Sequence, residues 1–136
     1  MSYAKAMIGE YGKVNTQTSV EFASPHRLIQ MLMEGALEKI TIAKGHMQRG
    51  NVAEKGRYIS WATAIIDGLQ MGLDTSVDHE MTRNLSDLYD YMNRRLVFAN
   101  LRDDTQILDE VASLLKEIKE AWDAIPERLE QAENDA

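Results

Sequence analysis

From Ser24 to Pro126, apolar residues recur at helical spacing in four stretches of about twenty residues each, with only short gaps between stretches. Helix formers dominate the composition, while glycine and proline are scarce. Short gaps force neighbouring helices to run antiparallel. The predicted fold is therefore all-α, an antiparallel up-down four-helix bundle preceded by a short N-terminal arm or helix.

The first helix should start at Ser24-Pro25, with serine as N-cap and proline at the first helical position, where no hydrogen bond is lost. Leu28, Ile29, Leu32, Met33, Ala36, Ile40, Ala43 and Met47 form its core stripe, and Gly50 is a good terminator. A second helix is expected from about Val52 to Gly72, with Tyr58, Ile59, Ala62, Ile65, Ile66, Leu69 and Leu73 inward. The chain turns at Asp74–Asp78, where Ser76 or Asp78 can cap a third helix over His79–Leu101. Its core stripe is Leu85, Leu88, Tyr89, Met92, Leu96 and Ala99. Asp103 or Asp104 caps the fourth, and the Asp103…Gln106 spacing imitates a capping box. Ile107, Leu108, Val111, Leu114, Leu115, Ile118, Trp122 and Ile125 share one face of that helix, which Pro126 ends or bends.

Two segments flank the bundle at 24–126. Residues 1–23 read as an arm in which Tyr3, Met7, Tyr11 and Val14 make a short stripe, weakened by Gly9 and Gly12. The arm is expected to dock on the body, cover a groove and be displaceable. Residues 127–136 read as an acidic tail.

The sequence offers little chemistry. There is no cysteine, hence no disulfide framework or thiolate metal site. A di-iron bundle needs Glu-x-x-His pairs, and none occurs; no metal or other cofactor is expected. Glycine-rich phosphate loops and catalytic spacings around His26 and His79 are absent, so no enzyme is predicted. A histidine phosphotransfer bundle is the alternative, with His46 as acceptor, but Lys44-Gly45-His46 has its letters in the wrong order. The net charge of −7 argues against nucleic acid, and no apolar run is long enough for a signal peptide or membrane span.

What remains is surface. Met31 and Ile42 on helix 1, Trp61 and Met71 on helix 2, and Tyr91, Phe98 and Leu101 on helix 3 fall off the core stripes. Gly35 lies between Met31 and Ile42 and suggests a close backbone approach, while Arg94 and Arg95 sit beside the helix 3 group. Helix 4 has one stripe and a charged back. Surplus apolar positions on three helices, in a chain with eight methionines, predict a partner-binding surface for an amphipathic segment.

The stretches VNTQTSVEFASPHRLIQMLMEGALEKI, LYDYMNRRLVFANLRDD and ILDEVASLLKEIKEAW resemble the flagellin export chaperones of the FliS type, over roughly Val14 to Trp122. Met33 departs from the pattern, standing where the family commonly has tyrosine. The resemblance implies a cytoplasmic bundle that binds the disordered C-terminal segment of flagellin and prevents premature polymerisation before type III export. It also implies that the bound segment folds into helices on the chaperone and that the arm occupies part of the groove when flagellin is absent. Export-gate components are further candidate partners and leave no separate signature in the sequence.

Overall fold

The computed structural model describes residues 23–74 and 79–124. They form four helices, α1 (Pro25–Gln48), α2 (Val52–Met71), α3 (His79–Arg102) and α4 (Thr105–Ala124). Each packs against its sequence neighbours, and α4 returns to α1, closing a ring of four. No helix among the described residues is long and apolar enough to cross a membrane. The predicted arm, the acidic tail, the caps Ser76 and Asp78, and the end of helix 4 at Ile125 and Pro126 lie outside the described residues.

Local chemistry sets the helix ends. Ser24 Oγ accepts the Arg27 amide at 3.1 Å, and Pro25 opens α1. At the other end Gly50 adopts a φ of 75°, which a side chain would resist. The Asn51 amide reaches back to His46 O at 2.9 Å and the Gly50 amide to Met47 O at 3.3 Å, a Schellman closure. The turn between α3 and α4 uses its two aspartates differently from the predicted capping box. Asp104 is the cap, its Oδ1 accepting the Gln106 amide at 2.9 Å and the Ile107 amide at 3.4 Å. Asp103 instead takes a φ of 51° and receives the ammonium of Lys55.

The core alternates small and large side chains. Ala36, Ala43, Ala62 and Ala99 are wholly buried, letting helices approach closely around Met33, Ile40, Ile66, Met92, Leu96, Leu108 and Leu115. Each fully buried large side chain contributes about 1.5–3 kcal/mol from apolar burial. The Tyr89 hydroxyl lies in this layer, and burial pushes its pKa up to about 12. Leu88 is a correction: predicted on the core stripe, it is 36% exposed.

Polar seams fix which helices meet. On α1 and α4, His26 Nε2 donates to Trp122 O at 3.0 Å while Trp122 Nε1 donates to His26 O at 3.1 Å, their rings stacked at 5.1 Å. Gln30 donates to Asp123 at 2.6 Å, and Lys44 pairs with Asp109 at the far end. Between α2 and α3, Gln70 donates to Ser86 Oγ and Asn93 to Asp67. Lys55 is buried, its charge satisfied by Asn100 O at 3.0 Å and by Asp103, which ties the start of α2 to the end of α3.

Candidate partner-binding surface

Exposed apolar side chains are unevenly shared among the helices. Of the seven large ones among the described residues, Met81, Leu88, Val97, Phe98 and Leu101 belong to α3, and Val52 and Met71 stand at the two ends of α2. Neither α1 nor α4 contributes one. The concentration is greatest in the last turns of α3, where Val97 is 54%, Phe98 42% and Leu101 74% exposed. Helix α3 cannot bury these side chains because its opposite face, with Tyr89, Met92, Leu96 and Ala99, is already committed to the core.

Beside this face a polar node bridges α3 and α4. Glu110 on α4 accepts the Tyr91 hydroxyl at 2.7 Å and Arg95 Nε at 2.9 Å. The Arg95 hydrogen bond, then that of Tyr91, holds the Glu110 carboxyl below its ordinary pKa of 4.5, and the same bond to Glu110 raises the Tyr91 hydroxyl. A carboxylate with a depressed folded-state pKa stabilises the fold fully above its unfolded value, and that contribution is lost as pH falls through the folded value. Glu110→Gln should therefore lower stability at neutral pH, and the gap to the parent should close as pH drops below 4.5. Urea unfolding of both proteins across this range checks it; a gap independent of pH would mean that charge at Glu110 is immaterial.

The predicted partner-binding residues fall into separate groups. Tyr91, Phe98 and Leu101 come together on α3, although the Tyr91 hydroxyl is engaged by Glu110. Met71 is 55% exposed and lines an open depression of about 410 Å³ with Gln70, Leu73, Thr82, Arg83 and Ser86, at the other end of α3. Met31 is a correction to the expected surplus surface: it is only 5% exposed, although it stands outside the contiguous core cluster. Gly35 is buried, and a methyl group there would lie 3.7 Å from Ile65 Cδ1, an ordinary contact, so α1 and α2 do not approach closely enough to demand glycine. Ile42 is half-buried. Trp61 is half-buried too, packed on the core, stacked on Tyr58 and capped by the Lys39 ammonium 4.1 Å from its ring centre. Gly35 and Trp61 thus belong to the α1–α2 side, away from the exposed face of α3. The arm residues Tyr3, Met7, Tyr11 and Val14 lie outside the described residues.

Val97 was missed from the sequence, as were Val52 and Met81. Val97 precedes Leu101 by four positions, a spacing that could have added it to the group. His46, the residue of the phosphotransfer alternative, is occupied by the end of α1. Its ring stacks on Tyr58 at 5.6 Å, and its Nδ1 accepts from Asn51 at 3.1 Å and Arg49 at 3.3 Å.

Comparison with known proteins agrees along nearly the whole chain. Residues 7–129 match the family model described as flagellar protein FliS. The flagellar secretion chaperone FliSB of Pseudomonas aeruginosa is 46% identical over 123 residues, covering 90% of this chain and 98% of that protein. The flagellar secretion chaperone FliS of Salmonella typhimurium is 46% identical over 124 residues, covering 90% and 92%. That of Bacillus subtilis is 34% identical over 106 residues, 78% of each chain.

Proposed function

Because this chain belongs to the flagellar protein FliS family, we propose that it is a non-enzymatic secretion chaperone of the flagellum whose client is the C-terminal segment of flagellin. The observation that carries this reading is the crowding of exposed apolar side chains onto α3, over a core that is complete without them. A bundle that needs no further burial can offer such a face to another chain. A disordered segment folding as an amphipathic helix on α3 would cover the apolar face. Flagellin held in this way cannot use the same segment to polymerise. The bundle works in the bacterial cytosol, and export-gate components would receive the complex from it.

Calorimetric titration with the C-terminal segment of flagellin from the same organism tests this, with circular dichroism of the mixture. One-to-one binding, a negative heat-capacity change and added helicity are expected. No heat and no added helix would remove flagellin as client.

The N-terminal arm, with Tyr3, Met7, Tyr11 and Val14, acts as a displaceable cover of the binding surface. Deleting residues 1–15 should raise affinity for the isolated flagellin segment or leave it unchanged. A large loss would make the arm part of the binding surface instead.

A further inference from the structure

Charge is distributed along α3 in a way that an apolar face alone does not require. The twelve residues Tyr91–Arg102 contain three arginines and no carboxylate, in a chain with a formal net charge of −7. Arg95 is paired with Glu110 on α4. Arg94 is exposed and has no carboxylate partner among the described residues. Arg102 is exposed as well; its guanidinium lies 5.2 Å from the Phe98 ring centre and meets no acid. Elsewhere most cations meet an acid: Arg27 and Lys119 meet Glu34, Lys44 meets Asp109, Lys55 meets Asp103 and Arg57 meets Glu54. Arg49, Arg83 and Lys116 share the lack of an acid partner among the described residues, but none of them borders a cluster of exposed apolar side chains like that of Val97, Phe98 and Leu101.

Arg94, Phe98 and Arg102 follow one another at i, i+4 and i+8, so the phenyl ring stands between two unpaired cations on one strip of helix. Arg102, in the last turn, complements the helix dipole, but that effect fades within one turn and does not account for Arg94. Both guanidinium groups border the exposed Val97, Phe98 and Leu101 in sequence.

We propose that this strip takes an amphipathic helix of the client whose apolar anchors are flanked by carboxylates, one meeting Arg94 and another meeting Arg102. The proposal rests on the chaperone reading above and adds the chemistry of the bound segment. The step of eight positions from Arg94 to Arg102 spans ~12 Å along the axis, so acids about seven or eight positions apart on a helical client reach both. The acidic body repels such a segment in general, and the local positive strip sets where and in which direction it lands. The apolar contacts supply most of the affinity, and the ion pairs supply register.

The test is titration of the flagellin C-terminal segment into three full-length proteins, in about 50 mM and about 500 mM salt. They are the parent, the double variant Arg94→Gln/Arg102→Gln, and Lys116→Gln, which removes an exposed cation on α4 that has no acid partner. The double variant should bind about three- to tenfold more weakly at low salt and lose most of the salt dependence, with Lys116→Gln unchanged. Equal helical content by circular dichroism checks that the variants fold. Unchanged affinity and salt dependence in the double variant, with Phe98→Ala still weakening binding, would overturn the carboxylate proposal and leave the chaperone reading standing. No binding by the parent protein would remove both. A dimer of the unliganded chain that Phe98→Ala converts to monomer, with client affinity untouched, would assign the strip to a second copy and overturn the proposal.

Discussion

Replacing Phe98 by aspartate should weaken binding of the flagellin C-terminal segment by at least about tenfold, as loss of a central aromatic anchor does, with little change in helical content. Phe98 is 42% exposed and stands outside the core cluster, so its ring contributes little to the fold. The new carboxylate would lie four residues from Arg94 and four from Arg102, and pairing with them offsets the cost of an acid near the C-terminal end of α3. For the client the two effects add: an apolar anchor disappears and the neighbouring cations are quenched. Phe98→Ala removes only the first, so its smaller loss separates the contributions. Calorimetric titration reads affinity, and thermal unfolding by circular dichroism reads the fold. Unaltered affinity in Phe98→Asp would mean that the client docks elsewhere.

Two positions away, Leu96→Ala should do the reverse. Leu96 is wholly buried among the core side chains of the bundle. Its truncation removes apolar burial and leaves a cavity, at a cost of about 2–5 kcal/mol. That is a large share of the roughly 5–15 kcal/mol that holds a domain of this size together. The midpoint of thermal unfolding should fall by about 10 °C or more. Below that midpoint the folded fraction should bind the flagellin segment normally, since Leu96 presents nothing to the surface. A drop of less than about 1 kcal/mol would show that the neighbours collapse into the space.

The contrast between these two residues also marks what the sequence can say. Helix-end signals are local, and Ser24-Pro25 and Gly50 were legible because each acts on amides within a few positions. The single stripe of α4 was legible for a similar reason, since one apolar face has only one way to turn. The two-sided pattern of α3 gave Phe98 and Leu101 but not Val97 or the exposure of Leu88. A helical wheel gives a direction around an axis, and the width of the covered sector depends on how near the neighbouring helices stand. Trp61 and Gly35 show the same limit: both lie off the stripe, yet the α1–α2 contact takes them in. Lys39 and Lys55 were invisible as buried residues because what covers them comes from distant parts of the chain: the Trp61 ring for Lys39, which also pairs with its neighbour Glu38, and Asn100 O and Asp103 for Lys55. The aspartates at 103 and 104 divided their roles through Lys55, which no local spacing announces.

The ring of helices has one seam unlike the others. Three of its four contacts join consecutive helices and close short loops, whereas α4 meets α1 across nearly the full length of the bundle sequence. Mean sequence separation between contacting residues governs folding speed, so most of this topology forms quickly and the last seam carries the main entropic cost of closure. That seam carries its own specific side-chain matches, from the reciprocal His26–Trp122 bonds to Gln30–Asp123 and Lys44–Asp109. These pairs act as a registration mark, because only one alignment of first and last helix satisfies all three.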